Sequence, residues 1–212
     1  PSWSELYEKK SGLPKGSVYT LTNGFDPEDF ASLKPQRPEV FTLLYAGTLA
    51  AQYPVSELVT ALNTLSFPMC IKVVGSWDGK SADDLAQGGD HIEVTFEEYI
   101  PKATLNQKLL DCHMMLFLLP NVASATGHIP GKLFDYLGAG NPILGLGPTA
   151  GDAARIIHNA GAGQCFDYSD KAAIAQYVQQ QYESGAPRTD VSRSTDYARD
   201  TQAKSLFAEI LK

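Results

Sequence analysis

Short apolar runs, separated by segments of helix length, constrain this chain more than any other feature of its sequence. The runs fall at 18–21, 41–46, 70–74, 92–96, 114–119 and 142–146. Several, such as FTLLYA and MMLFLL, are continuous rather than alternating, the pattern of strands covered on both faces. Helical patterns occupy 54–65, 104–112, 130–137, 151–160 and 170–182, and a last helix begins near residue 195 and runs to about 211. Strands alternating with helices in this way predict an α/β fold, a doubly wound parallel sheet of about six strands with helices on both faces. The Pro-rich stretch at 34–38 and residues 184–194 read as loops.

Composition narrows the function. A net charge of −7 argues against nucleic acid as a partner, since that surface would be basic. No apolar run approaches the ~18 residues that span a bilayer. The three cysteines, Cys70, Cys112 and Cys165, sit far apart in apolar surroundings with no metal-ligand spacing, as in a reduced, cytoplasmic protein.

In a doubly wound sheet, ligands bind beyond the carboxyl ends of the strands, where loops run into helix starts. Gly47-Thr48, Gly75-Ser76, the segment around Tyr99 and Ile100, and residues 121–131 are the loops concerned. Gly47 and Gly75 would let a ligand approach the backbone. Gly131, after Pro130, opens a helix whose unpaired N–H groups suit an anion. The stretch GHIPGKLFDYLGAGNPIL (127–144) places Lys132 in the first turn of that helix, the unfavourable end for a cation unless an anion joins it. At 100° per residue Leu133, Phe134 and Leu137 face inward, while Lys132, Asp135 and Tyr136 face out. An ordinary i,i+3 salt bridge between Lys132 and Asp135 is the competing explanation. His91 and His158 read as surface residues, His113 as a packed, hydrogen-bonded one, and His128 as a residue facing the ligand.

Read in order, VYTLTNGFDPEDF, FTLLYAGTL, IKVVGSWDG, DCHMMLFLLP, IPGKLFDYLGAGNPIL and AGAGQCFDYSDKAAIAQYV resemble the C-terminal, donor-binding half of GT-B glycosyltransferases. The resemblance is to the retaining family that builds bacterial surface polysaccharides, and it covers nearly the whole chain. It implies transfer of a hexosyl group from a nucleoside-diphosphate sugar, UDP- or GDP-linked, with no metal and no further cofactor. Lys132 would stabilise the diphosphate leaving group and Asp135 would bind the ribose hydroxyls. Tyr99 and Ile100 would cradle the base, and Gly47 and Thr48 would face the phosphates. Gly75, Ser76, His128, Pro130, Gly131 and Leu133 complete the implied donor-binding set.

The chain departs from the family pattern at three places. Gly127 stands where many relatives carry a Glu, Asp135 replaces the commoner second Glu, and Thr48 follows the first strand's glycine where a basic residue is usual. Lys132 is then the one side-chain cation for the leaving group unless Lys80 reaches it or the N-terminal half supplies one. The family's Asn-Gly-hydrophobic-Asp element falls at residues 23–26, early in the chain. The resemblance therefore divides it into residues 1–12, the tail of an N-terminal acceptor-binding domain; residues 13–192, the donor domain; and residues 193–212, a helix packing back toward the N-terminal domain. Such a half would be inactive alone. Its acceptor would be a glycan or lipid-linked glycan, and membrane contact, at the inner face, would come through the other half. A GT-B sugar-nucleotide epimerase and a non-catalytic nucleotide-sugar sensor are the alternatives.

Overall fold

The computed structural model describes residues 2–211. Six strands form one sheet: β1 (Phe41–Leu49), β2 (Met69–Trp77), β3 (Ile92–Glu97), β4 (Met114–Leu118), β5 (Ile143–Leu146) and β6 (Gly163–Phe166). They lie in the order β3-β2-β1-β4-β5-β6, and every neighbouring pair is parallel. The helices are α1 (Ser2–Ser11), α2 (Glu28–Ala31), α3 (Val55–Leu62), α4 (Gly79–Leu85), α5 (Lys102–Asp111), α6 (Lys132–Ala139), α7 (Asp152–Asn159), α8 (Lys171–Glu183) and α9 (Arg199–Ile210).

The central strands are buried on both faces because successive side chains point to opposite sides. Along β1, Leu43 and Tyr45 pack with Leu58 and Leu62 of α3 and Ile174 and Val178 of α8. Leu44 and Ala46 point the other way, into a cluster with Leu133 and Leu137 of α6, Leu109 of α5 and Ile157 of α7. The continuous apolar run of the sequence thus divides into two cores, one per face.

Two strand assignments differ from expectation. Residues 18–21 form no strand: they run as exposed chain, with Tyr19 and Leu21 about half exposed and no sheet edge beside them. The sixth strand is instead Gly163–Phe166, which pairs with β5 from Gly163 opposite Ile143. Only Phe166 is buried; Gly163 and Cys165 are partly buried and Gln164 is exposed, so it makes no apolar run. Helices α1, α2 and α4 also lie outside the predicted set.

Chain order reverses between β1 and β4, which makes their C-terminal ends the switch point where a ligand crevice opens. α6 follows β4 and begins beside that crevice. Among the described residues, no helix is long and apolar enough to cross a membrane.

Candidate functional site

α6 is anchored before it presents anything. Leu133, Phe134 and Leu137 are buried as their spacing predicts, and full burial of such side chains stabilises by about 1.5–3 kcal/mol each. Tyr136, expected to face out, is fully buried. Its hydroxyl accepts from the Ala46 N–H (2.9 Å) and donates to the Leu116 carbonyl (3.2 Å), so it joins α6 to β1 and β4 across the switch point. A phenol can take such a place because its ring is apolar and its hydroxyl finds partners.

The glycines that close the helix are architectural. A Cβ on Gly138 would lie 2.8 Å from the Phe25 ring and 2.6 Å from that of Phe30. Gly140 is left-handed (φ 71°) and donates to Tyr136 O, a glycine helix stop. Asn141 is buried; its amide donates to Leu109 O (2.6 Å) and Leu110 O (3.1 Å), and its oxygen accepts from Arg37 (3.1 Å). Gly24, in the Asn-Gly-Phe-Asp element, is bare for a similar reason: a Cβ would stand 2.6 Å from the Tyr197 carbonyl.

Lys132 is different. Its ammonium lies 3.6 Å above the Tyr45 ring and 5.9 Å from that of Tyr53, a cation–π arrangement. Among the described residues no carboxylate comes within 4.0 Å of it. The expected alternative, a Lys132–Asp135 salt bridge, does not form. The ring contact, worth about 0.5–2 kcal/mol, does not make up for lost hydration, and burial lowers the Lys132 pKa to about 7. Gly47 abuts this ammonium: a Cβ there would stand 3.9 Å from Nζ, and its φ of 113° suits only glycine. The Tyr45 hydroxyl donates to the Thr48 carbonyl (2.7 Å), and Thr48 Oγ1 accepts from the Ser76 hydroxyl (3.0 Å).

The helix start offers fewer free N–H groups than its sequence suggests. Leu133 donates to Pro130 O and Phe134 to Gly131 O, both at 3.1 Å. Among the described residues the N–H groups of Gly131 and Lys132 have no backbone partner, and they stand at the positive end of the helix. Leu133 itself is in the core, so its side chain reaches no ligand.

One turn on, Asp135 is partly exposed and sits 3.8 Å from Lys102 Nζ, which also pairs with Asp29 at 2.5 Å. Burial raises the Asp135 pKa first; Lys102 pulls it down and Asp29 pushes it up. Lys102 opens α5 directly after Tyr99, Ile100 and Pro101, so this cluster brings the 99–101 loop beside Asp135. Tyr99 is 87% exposed, while Ile100 packs against the core.

The structure thus gathers Gly47, Thr48, Ser76, Gly131 and Lys132 into one corner, with Asp135 behind it. Gly75 contributes differently. It pairs with Gly47 in the sheet, and a Cβ on it would fall 2.5 Å from the Gly47 carbonyl, so strand packing alone requires a glycine there. Lys80 bonds Asp84 at 2.5 Å on α4 and does not join the corner. His113 accepts from the Thr42 N–H (3.1 Å), and burial holds its pKa at about 4, as a packed histidine should behave. Among the described residues no three His, Cys, Asp or Glu side chains converge on a metal-sized site. Sequence reasoning missed Tyr45, Tyr136, Lys102 and Asp29, because their roles depend on contacts between distant segments.

No protein-family model matches the chain, and no curated protein matches it in sequence. Solved structures do. The lipopolysaccharide outer core galactosyltransferase WaaB in its apo form superposes with a TM-score of 0.72 at 14% identity, over 96% of this chain and 58% of its own. Anabaena HepE in complex with UDP-glucose gives 0.71 at 14% identity, over 99% of this chain and 61% of its own. AviGT4, a glycosyltransferase of avilamycin A biosynthesis, gives 0.60 at 17% identity over 92% of this chain. The fold is that of the C-terminal half of GT-B glycosyltransferases. At 58–61%, the chain spans less than two thirds of the length of WaaB and HepE.

Proposed function

We propose that the chain binds a nucleoside-diphosphate sugar, UDP- or GDP-linked, and serves as the donor half of a retaining hexosyltransferase of surface polysaccharide or glycoconjugate synthesis. One observation carries the reading: among the described residues, Lys132 holds a half-buried ammonium with no carboxylate within 4.0 Å, against a bare glycine and beside two N–H groups without a backbone partner, at the switch point of the sheet. A chain gains nothing in stability from such a group. An arriving diphosphate would restore what burial removes, accepting charge-assisted hydrogen bonds from Lys132 and from the Gly131 and Lys132 backbone.

In the transfer step the bond between the anomeric carbon and the diphosphate oxygen breaks, and negative charge grows on that oxygen. Donors already aimed at it lower the barrier because they need no reorganisation. Asp135 would accept from the ribose hydroxyls, with Lys102 partly offsetting the upward push of burial and Asp29 on its pKa. The neighbours' shared fold and the UDP-glucose bound by HepE support this class of ligand. The acceptor, a glycan or lipid-linked glycan, would be held by a further N-terminal domain, with α9 packing toward it and the chain inactive without it. Any membrane contact, at the inner face from the cytoplasm, would be made there.

Calorimetric titration with UDP, GDP, ADP and CMP tests the reading. One diphosphate should bind, and Lys132→Ala and Asp135→Ala should each weaken it, by about 1.5–3 kcal/mol for a charged hydrogen bond. Absence of binding at millimolar nucleotide would count against it.

A further inference from the structure

The N-terminal ends of β5 and β6, at the opposite end of the sheet from the Lys132 corner, border a cavity of about 460 Å³. Its size falls within the range of about 300–1,000 Å³ typical of small-molecule sites. His158, Gln164, Tyr177, Gln181, Arg188 and Arg193 are among the residues that line it. Donors of a doubly wound sheet bind at the other end of the strands, so nucleotide binding does not account for it. No carboxylate lines this cavity, although the chain has a net charge of −7. Elsewhere basic side chains share their cavities with acids: Arg155 with Asp152 and Asp196, Lys108 with Asp111, and Lys9 with Glu5 and Glu8. Among the described residues no carboxylate comes within 4.0 Å of Arg188 or Arg193. Asp190, between them in sequence, is taken up by the Ser192 N–H (3.0 Å) and the Ser192 hydroxyl (2.6 Å).

Helix capping is the competing explanation for the two arginines. Arg188 donates to the Ala139 carbonyl at the end of α6 (2.6 Å), and Arg193 to the Asn159 carbonyl at the end of α7 (3.4 Å). Cations suit such ends, but two helix C-termini together present only about one negative charge against two guanidiniums. Each guanidinium also has five N–H donors, most of them left over after one carbonyl bond. A third cation adds to the excess: burial first, and then Arg37 nearby, lowers the Arg188 pKa. Capping therefore leaves positive charge and forked donors facing the cavity, the arrangement that suits a phosphate. Gln181 adds a buried amide oxygen with no hydrogen-bond partner among the described residues. A bare anion would leave that oxygen unsatisfied, whereas a ligand that also carries hydroxyls would not.

We propose that this cavity binds a phosphate monoester of a hydroxylated carbon skeleton, with Arg188 and Arg193 on the phosphate, His158 beside it, and a ligand hydroxyl donating to Gln181 Oε1. The same group occurs on soluble esters and on lipid headgroups. The site stands whatever Lys132 binds.

The chain has four histidines, so the His158 ring signal can be followed by NMR and assigned with His158→Gln. Glycerol 3-phosphate is titrated into the full chain carrying Lys132→Met, which keeps phosphate off the α6 corner, with glycerol as the control. The His158 signal should shift and saturate with the ester and not with glycerol. Arg193→Gln should weaken binding about tenfold, the loss expected for one charged hydrogen bond. Arg193→Lys, which keeps the charge and loses the fork, should weaken it less. Arg193 is the better choice for substitution, since its carbonyl bond is long while that of Arg188 is short. Co-sedimentation with phosphatidylcholine vesicles, with and without phosphatidic acid, separates the sources. A headgroup site holds the chain on the phosphatidic acid vesicles and releases it in Arg193→Gln; a site for soluble esters binds glycerol 3-phosphate and ignores the vesicles. The proposal is overturned if neither glycerol 3-phosphate nor phosphatidic acid engages the chain, if glycerol moves His158 equally, or if Arg193→Gln leaves the affinity unchanged. UDP titration of the chain with Lys132 intact is a separate reading: its failure would sink the diphosphate role of Lys132 and leave this cavity to be decided by the ester.

Discussion

Nucleotide binding should draw a proton onto Lys132. In the free chain, burial holds its pKa near 7, so at pH 8 only about a tenth of the molecules carry the charge. A diphosphate favours the ammonium and restores a higher pKa, so binding takes up about 0.9 proton at pH 8 and about half a proton at pH 7. Affinity must then fall as pH rises, by close to tenfold, or about 1.4 kcal/mol, per unit above pH 8. Calorimetry with UDP in buffers of different ionisation enthalpy measures the uptake directly. Lys132→Met should abolish both the uptake and the pH slope. Lys132→Arg, which stays charged throughout, should bind with a flat profile. The same linkage acts on the free chain: its stability should rise between about pH 7 and 10.5, where the unfolded lysine still holds a proton that the folded one has lost. An uptake near zero at pH 8, with binding that Lys132→Met still weakens, would refute the argument from burial.

Other consequences concern the frame around the site. Tyr136→Phe leaves the Ala46 N–H buried without a partner, and should cost about 1–3 kcal/mol in urea denaturation. Gly140→Ala meets both a left-handed backbone and Val191 Cγ2 at 2.5 Å from the new Cβ, so a loss above about 1 kcal/mol is expected. Lys102→Met removes the cation that offsets Asp29 beside Asp135. The Asp135 pKa then rises further, and UDP affinity should start to fall at a higher pH on acidification than it does in the unmodified chain.

The sheet was legible where its strands are buried on both faces. Residues 41–46, 70–74 and 114–119 read as strands because their runs are apolar apart from Thr42 and Lys72, and that same burial sets them in the interior of the sheet. β6 was not legible: an edge strand with one exposed side needs no apolar run, and Gly163–Phe166 shows none. Residues 18–21 mislead in the opposite sense, with strand-forming side chains but no neighbouring edge to pair with. At the site, Lys132 could be singled out because a cation in the first turn of α6 conflicts with an ordinary surface helix, and Asp135 because the resemblance to GT-B transferases implies a carboxylate there. Tyr136 could not, since only the backbone of β1 and β4 makes its burial favourable. Tyr45 read as one more core residue; that its ring is the floor beneath Lys132 follows from how α6 crosses the end of β1. The glycines divide in the same way. Gly47 is bare toward the corner that holds Lys132, whereas Gly24, Gly75 and Gly138 are explained by neighbours that no local pattern names.

The most direct test of the Lys132 corner is a crystal structure of the chain grown with UDP. The account predicts the β-phosphate at the start of α6, within hydrogen-bond reach of Lys132 Nζ and the Gly131 and Lys132 N–H groups, with the ammonium drawn off the Tyr45 ring. A nucleotide bound elsewhere, with Lys132 still resting on Tyr45, would contradict it.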